Sequence, residues 1–178
     1  MTKRIYCIIS LVIMTMAFAI AASAQLPSLA DVGHDNYISE ADGFELAVPH
    51  QCVKLTSGDG LREYRCDLKE GLIKVTINPD SPVVKTDADI ATFLGVVKEG
   101  MLGESSIKVF GEIPAHIGSY RGAAYQLTIG GDKSLMIALA WDKFTVFISG
   151  RADSKVANSA ELISAAVQSF TFVSPKTK

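Results

Sequence analysis

The sequence predicts a single α+β domain, a mainly antiparallel sheet with helices packed on it, after an N-terminal signal peptide. Three observations support this prediction. The predicted elements run strands, helix, strands, helix with hairpin connections, which favours an antiparallel α+β domain over a βαβ fold. Residues 120–172 have the pattern of three adjacent antiparallel strands, a helix and a short closing strand. The first 24 residues have the layout of an export signal.

Residues 1–24 are excluded from the predicted fold. Lys3 and Arg4 form a basic start, residues 5–20 are almost entirely apolar, and a small-x-small tripeptide ends at Ala24. This layout predicts a secretory signal peptide cleaved between Ala24 and Gln25, so that the mature protein is periplasmic or secreted. The alternative is an uncleaved membrane anchor, but the apolar run is short for a spanning helix and the cleavage site follows it directly.

The mature chain divides into a leader at residues 25–42, an α+β domain at 43–173 and a polar tail at 174–178. Two of the 17 basic residues and none of the 19 acidic residues lie in the signal, so the mature net charge is −4. This charge argues against nucleic acid as a partner, because phosphate binding needs a basic surface. No later apolar run is long enough to span a bilayer, so no stable membrane span is expected after cleavage.

The leader has little periodicity and is expected to be a coil or a short helix lying on the domain. The first strand is predicted over residues 43–49, where Phe44, Leu46 and Val48 alternate inward and Pro49 ends the ladder. Residues 61–68 and 72–78 form the next hairpin. Its second arm alternates between two sets of side chains that face opposite sides, Ile73, Val75 and Ile77 against Lys74 and Thr76.

The first helix is predicted over residues 86–102. Thr86 and Asp89 have the spacing of a capping box, and Gly103 is a natural stop. Four residues at helical spacing make its apolar stripe: Ile90, Phe93, Val97 and Met101. Residues 107–117 form a further extended segment, which Pro114 breaks.

Residues 121–129, 134–141 and 144–149 are predicted to form three consecutive strands. The middle strand is apolar at both odd and even positions, which predicts a central strand covered on both faces. A two-residue loop at 142–143 places Trp141 opposite Phe144. An even-numbered loop in the earlier hairpin would put Leu127 and Ile137 on opposite faces, so we expect a three- or five-residue turn around residues 130–133, with Gly131 left-handed.

The second helix is predicted over residues 154–168, with Asp153 or Ser154 as its cap. Its apolar stripe consists of Val156, Ala160, Ile163 and Val167. Phe170 and Phe172 then alternate as in a short strand.

Two cysteines remain in the mature chain, Cys52 and Cys66. In an exported protein an even count predicts a disulfide, and a loop of this length would contribute about 3 kcal/mol in the chain-entropy model. The alternative is a metal site formed by His50, Cys52 and Cys66. The His50-x-Cys52 spacing is poor for structural zinc, and no fourth ligand is evident nearby in the sequence.

No residues are predicted to be catalytic, to bind a cofactor or to hold a metal. His34, His50 and His116 are scattered along the chain. Residues 57–60 lack the spacing of a calcium loop, and residues 118–122 resemble neither a nucleophile elbow nor a phosphate loop. Trp141 and Phe144 flank a turn, where they form either an exposed aromatic ligand patch or a structural cross-strand pair. Tyr120 and Arg121 have the same two interpretations.

Three stretches resemble the PsbP/Mog1-like α-β-α sandwich family, which includes exported bacterial domains. They are residues 43–49 near the mature start, residues 122–125 opening the meander, and the last helix running into residues 169–172. The resemblance covers most of the mature chain. It implies a binding or assembly factor without a shared set of catalytic residues.

The leading functional prediction is an exported, non-enzymatic binding or accessory domain that acts on a protein partner or a cell-envelope component. The alternative is a carrier of a small apolar ligand in a cavity between helix and sheet, and an unrecognised hydrolase comes third. The carrier hypothesis rests on small residues expected to face the core: Ala123, Ala138, Ala140, Ala160 and Ala166.

Overall fold

The computed structural model describes residues 26–29, 37–39, 42–48, 53–56 and 60–173. The predicted signal peptide with its cleavage site, the tail at 174–178 and parts of the leader lie outside the described residues. The strands are β1 (Tyr37–Ser39), β2 (Phe44–Leu46), β3 (Val53–Thr56), β4 (Arg62–Leu68), β5 (Gly71–Asn78), β6 (Ile107–Ile117), β7 (Tyr120–Ile129), β8 (Asp132–Trp141), β9 (Phe144–Ala152) and β10 (Thr171–Phe172). The helices are α1 (Asp87–Leu102) and α2 (Ser159–Gln168).

The strands form a large sheet of seven strands in the order β3-β4-β5-β9-β8-β7-β6 and a small sheet in the order β1-β2-β10. Every pairing between named strands is antiparallel. The predicted fold class is therefore confirmed: the described residues form a mainly antiparallel α+β domain. Pro114 does not break β6, because this strand lies at a sheet edge, where a missing backbone N–H is tolerated.

The two helices cover opposite faces of the large sheet. Helix α1 packs mainly on β6, β7 and β8, and helix α2 packs on β5, β8 and β9 from the other side. Val97 and Met101 lie in the core under α1, and Ile163 and Val167 lie in the core under α2. Below, these two sides of the sheet are called the α1 side and the α2 side.

The turn between β7 and β8 differs from the prediction, because helices cover both sides of the sheet. Ile129 pairs directly with Asp132, so the loop contains only Gly130 and Gly131, both at positive φ. The expected odd-numbered turn was wrong because it assumed one buried face. Leu127 instead packs on the α1 side, while Ile137, on β8, packs on the α2 side. The predicted two-residue loop between β8 and β9 is confirmed, with Trp141 opposite Phe144.

The start of α1 agrees with the predicted capping box. The Thr86 hydroxyl accepts a hydrogen bond from the Asp89 backbone N–H at 3.2 Å, and the Asp89 carboxylate accepts one from the Thr86 N–H at 2.8 Å. Arg121, on β7, pairs with Asp87 and donates to the Lys85 carbonyl at 3.1 Å. Arg121 therefore holds the first turn of α1 against the sheet.

The start of α2 differs from the prediction. The helix begins at Ser159 rather than at residue 154, because β9 continues to Ala152 and a turn follows. Asn158 occupies the N-cap position at φ 57° and makes no side-chain capping bond. Asp153 was predicted as a cap, but its carboxylate accepts from the Lys155 N–H at 2.9 Å within the preceding turn.

A buried polar group ties the small sheet to β4. The Asp42 carboxylate accepts hydrogen bonds from Arg62 and from the Tyr64 hydroxyl, and the Ser39 hydroxyl donates to the Tyr64 oxygen at 2.9 Å. The Tyr64 ring packs edge-on against Phe44 with centroids 4.9 Å apart. Hydrogen bonds and ring packing together fix the small sheet over one end of the large one.

The Glu70 carboxylate, at the β4–β5 turn, anchors the chain near residue 28. It accepts from the Ser28 hydroxyl and from the Leu29 N–H, the latter at 2.9 Å. Burial raises the pKa of Glu70, but these hydrogen bonds, one from the Glu70 backbone N–H and the nearby Lys69 charge together outweigh it, so that the pKa lies below its usual value. Leu29 itself joins the core on the α2 side.

Gly150, on β9, allows α2 to lie close to the sheet. A Cβ atom at this position would lie 2.5 Å from Ile163 Cγ2 and 2.6 Å from Val167 Cγ2. No side-chain carbon fits at those distances, so a larger residue would push α2 away from β9.

We predict that Gly150→Ala lowers the free energy of unfolding by about 1–3 kcal/mol, because the added methyl overpacks the α2 contact. The matched control is Gly95→Ala in α1, where a Cβ meets nothing within 4 Å. That control is expected to raise stability by roughly 0.5–1 kcal/mol, since alanine is the better helix former. Urea unfolding of both variants measures the difference, and equal effects of the two substitutions would contradict the close approach of α2.

Candidate functional site

The α2 side of the sheet is left partly uncovered over β6 and β7. Helix α2 packs on β5, β8 and β9. The strand register identifies which side chains of β7 and of β6, at the free edge, lie on the same side of the sheet as α2. Ala124 is opposite Ile137 on one side and opposite Ile113 on the other. Because Ile137 belongs to the core on the α2 side, Ile113 lies on that side as well, where it is 54% exposed.

Aromatic residues extend this uncovered area to the end of the sheet. Trp141 and Phe144 are cross-strand partners and are 37% and 40% exposed. Tyr120, which is opposite Ile117 on β6, stacks on Phe172 with ring centroids 4.0 Å apart. We name this surface the open apolar face and define it by six residues: Ile113, Ala115, Ile117, Tyr120, Trp141 and Phe144.

Both interpretations of Trp141 and Phe144, a structural cross-strand pair and an exposed aromatic patch, agree with the structure. Trp141 and Phe144 make the predicted structural pairing across the β8–β9 turn, and both also present apolar area to solvent. A contiguous apolar patch on a folded domain costs solvation free energy unless another molecule covers it. Chemically, the surface offers aromatic and aliphatic contacts, and the one titratable group among its six residues is the Tyr120 phenol, whose pKa is raised by burial.

A polar cluster lies on the opposite, α1 side of the sheet. The Lys74 side chain, on β5, is 1% exposed, and its Nζ lies 2.8 Å from Glu63 Oε2 on β4. Ser149, on β9, is the direct cross-strand partner of Lys74. Burial lowers the pKa of Lys74, and the nearby Arg65 charge lowers it further, while Glu63 opposes both effects.

Three hydroxyls on the α1 side make no hydrogen bond within the described part of the chain. They belong to Thr76, Tyr125 and Ser149, and all three side chains are buried. Burial, with a smaller contribution from Glu112, raises the pKa of Tyr125 to about 12. Ser149 beside Lys74 has the composition of a nucleophile and a base, but the ammonium is engaged with Glu63 and both residues are closed to solvent. The cluster is therefore a buried Lys74–Glu63 ion pair beside hydroxyls that make no hydrogen bond within the described part of the chain.

The polar cluster was not recognised in the sequence. Alternation correctly placed Lys74 and Thr76 on the side opposite Ile73, but polar residues in an alternating strand usually face solvent. The sequence contained only an indirect indication that these polar residues are buried. Because the predicted α1 stripe also needs a sheet face to pack on, the second side of the sheet had to be at least partly buried.

A void between α1 and the sheet has a volume of about 10 Å³ and borders Met101, Met136 and Ser149. One water molecule needs about this much space, and an apolar ligand needs far more. Ala138 and Ala140, on which the carrier hypothesis relied, are fully buried in close packing. This void therefore does not provide the cavity that the carrier hypothesis requires.

The remaining predicted site residues are dispersed. Cys66 is buried in the core on the α2 side, on the same face of β4 as Tyr64. Cys52 lies outside the described residues, and so do His34 and His50, so the disulfide and the metal alternative stay predictions. His116 is exposed on β6. Among the residues that the structure describes, no group of three His, Cys, Asp or Glu side chains could hold a metal ion.

Within residues 26–29, 37–39, 42–48, 53–56 and 60–173, neither helix is long and apolar enough to cross a bilayer.

Comparison with known proteins identifies the fold. No family model matches the sequence, and no curated protein matches it. The solution structure of cyanobacterial PsbP (CyanoP) from Synechocystis sp. PCC 6803 matches with a TM-score of 0.52 at 12% identity, over 88% of this chain and 98% of that chain. A crystal structure from Bacteroides thetaiotaomicron VPI-5482 matches with a TM-score of 0.39 at 11% identity, over 80% of this chain and 50% of that one.

The first of these likenesses confirms the PsbP-like fold suggested by the sequence. At 12% identity it shows the fold alone. The second likeness is too distant to support any argument.

We predict that Glu63→Gln lowers the free energy of unfolding by about 3 kcal/mol at pH 7, because it removes the carboxylate that balances the buried Lys74 charge. The folded-state pKa of Lys74 lies below its usual 10.5, so the cost of the charged form is fully present below the folded pKa. Without Glu63 the folded-state pKa of Lys74 falls further, so the deficit of the variant is fully present below that lower pKa and shrinks as pH rises toward the wild-type folded pKa.

Chemical denaturation at pH 7 and in the alkaline range measures this effect. The matched control is Glu112→Gln, which breaks the exposed Lys98–Glu112 ion pair at 2.6 Å. Its expected cost is below about 1 kcal/mol. Similar losses in the two variants, or a loss in Glu63→Gln that does not change with pH, would contradict the buried ion pair.

Proposed function

We propose that this chain is an exported, non-enzymatic binding or accessory domain that acts on a protein partner or a cell-envelope component, through the open apolar face. The observation that carries the proposal is the uncovered apolar strip on β6 and β7, which ends in Trp141 and Phe144. The proposal also includes cleavage after Ala24 and a periplasmic or secreted location, both of which rest on the N-terminal sequence.

The position of the open apolar face supports this proposal. Ile113, Ala115 and Ile117 alternate along an edge strand and point to the same side as α2. A partner bound there would continue the layer that α2 begins, and it would bury apolar area already held in place by strand pairing. Rigid backbone lowers the entropy lost on binding, which favours recognition by such a surface.

The aromatic end of the face is the expected centre of binding energy. Tryptophan and tyrosine are enriched among the residues that dominate protein interfaces. The backbone at Trp141 is fixed by its strand pairing with Phe144, and the Tyr120 ring is held by its stack on Phe172. The Tyr120 ring therefore offers contact area with little side-chain freedom left to lose.

We predict that Trp141→Ser weakens partner binding at least tenfold while leaving the fold intact, since an interface aromatic contributes about 2 kcal/mol or more. Native mass spectrometry of protein taken from its own host measures the bound fraction. The matched control is Leu102→Ser, because Leu102 is 68% exposed but belongs to α1 on the other side of the sheet. It should retain the partner at the wild-type level.

Thermal unfolding of both variants separates lost binding from lost structure. A stoichiometric protein retained equally by wild type and Trp141→Ser would contradict the assignment of the open apolar face. A retained small molecule in place of a protein would favour the carrier function instead.

We also propose that Cys52 and Cys66 form an intramolecular disulfide. Cys66 sits on β4 with Tyr64 and Leu68 on the same buried side, so a bridge there would tie the segment after residue 49 to the core. Reduction is expected to lower the free energy of unfolding by about 3 kcal/mol. Cys52→Ser should lower it similarly, because it opens the same loop.

Thiol counting and thermal unfolding with and without reductant test this pairing. The double variant Cys52→Ser/Cys66→Ser should not respond to reductant, which controls for other effects of the reagent. Two reactive thiols in the native protein would contradict the bridge. Stoichiometric zinc released by a chelator would instead favour the metal site with His50.

A further inference from the structure

The side of β6 and β7 that carries the open apolar face ends in two lysines. Thr128, on β7, is directly opposite Lys108 on β6 and Lys133 on β8. Because Leu127 and Ile129 pack on the α1 side, Thr128 and its two partners lie on the α2 side. Both lysines are exposed, and neither forms an ion pair with another described residue. We name Lys108 and Lys133 the lysine end of the face.

The two acidic residues of β6, β7 and β8 lie on the opposite, α1 side. Glu112 is opposite Tyr125, and Asp132 is opposite Ile129, and both of these partners belong to the core under α1. Both acids also form ion pairs there. On the α2 side, the same three strands therefore present an apolar area and, beyond it, positive charge that none of their own acids balances.

The uncovered area has the dimensions of one helix. Strands β6 and β7 lie beside β8, the outermost strand on which α2 mainly packs. Two strands span about 10 Å, which is about the diameter of an α-helix. Along β7, the distance from Tyr120 to Thr128 is about 27 Å. A helix of about 18 residues covers that length.

We propose that the partner places one amphipathic helix on this area, with apolar side chains on the open apolar face and acidic side chains at the lysine end. Ile113 and Ile117 form ridges on β6, and the smaller Ala115 and Ala124 leave lower ground between them for side chains of the helix. The inference rests on the proposed function and deepens it, because it names the class of partner.

The backbone of β6 favours a helix on the face over a strand added at the edge. The pairing of β6 with β7 shifts register between Val109 and Gly111, which marks a bulge. Pro114, farther along the same strand, has no N–H to donate. An added strand would lose pairing at these irregularities, whereas a helix satisfies its backbone hydrogen bonds internally.

Charge also sets the direction of the partner helix. The C-terminal end of a helix carries partial negative charge, so it is favoured beside the lysine end. Helix α2 starts at that same end of the sheet, because its Ser159 hydroxyl donates to the Asp153 carbonyl at 2.7 Å, just after β9, and Arg151 is opposite Ser134. The partner helix therefore runs antiparallel to α2 and carries its acids in its last two turns.

Two synthetic helical peptides of about 18 residues test the inference with the mature protein. Both have leucines along one face and no tryptophan, and one carries glutamates in its last two turns where the other carries lysines. Trp141 is the only tryptophan of the chain, so its fluorescence reports whether a peptide covers the open apolar face. We expect the glutamate peptide to bind at least about tenfold more tightly, and the difference to shrink in high salt.

Charge-reversal variants identify the residues responsible. K108E/K133E should invert the preference, so that the lysine peptide binds more tightly. The matched control is Lys98→Glu, on α1, which should leave the preference unchanged. Ile113→Ser should weaken both peptides alike, by about fivefold, because it removes apolar contact without changing charge. Thermal unfolding checks that each variant is folded, and all of the substituted side chains are exposed.

Two peptide results would overturn the inference. One is a wild-type protein that binds neither peptide up to about millimolar concentration. The other is a preference that K108E/K133E leaves unchanged. Binding to phosphatidylglycerol vesicles without binding to either peptide would also overturn it, and would identify a lipid surface as the occupant.

The proposed function is judged separately, by whether Trp141→Ser loses the partner found in the host. A host partner that Trp141→Ser loses and K108E/K133E retains would leave the proposed function intact and overturn the acidic helix. A host partner that both variants lose, while Lys98→Glu retains it, would support the two together.

Discussion

The burial of one sheet on both sides, by helices that are offset from each other, is the constraint on which the rest of the structure depends. Helix α1 lies mainly over β6, β7 and β8, whereas α2 lies over β5, β8 and β9. Both helices cover β8 and β9, since Phe93 of α1 packs against Phe147 on β9. Strand β8 is accordingly apolar at both odd and even positions, including Leu139 and Ala138. The offset leaves β6 and β7 partly open on the α2 side, and the open apolar face follows from it.

The same constraint explains which parts of the fold could be predicted from the sequence. The Trp141–Phe144 pairing was predictable because a two-residue loop and the apolar pairs beside it agree on one register. The capping box at Thr86 was predictable because a cap needs only local chemistry. The Gly130–Gly131 turn was not, because its length depends on which helix covers Leu127, and that is decided by packing far away in the sequence.

The candidate sites were less predictable than the fold. Trp141 and Phe144 could be singled out as a pair, but the pattern does not show whether a helix covers them, because that is decided by packing between elements distant in sequence. The burial of Lys74 could not be anticipated from alternation, since a lysine in such a strand usually faces water. Its burial beside Ser149 and Thr76 makes one part of the α1 side polar, whereas the core under α1 is otherwise formed mainly by apolar side chains.

The small sheet joins distant parts of the chain. Strand β10 pairs with β2, and the Ala47 N–H donates to the Ser169 hydroxyl across a separation of 122 residues. Bringing such distant segments together costs loop-closure entropy, so these contacts form late unless the intervening sheet has already drawn the ends close. In a chain that emerges N-terminus first, β2 must therefore wait for its strand pairing with β10, and Phe44 for its stack on Phe170, until the last strand has emerged. During that interval the apolar surface of β2 would be open to holding chaperones.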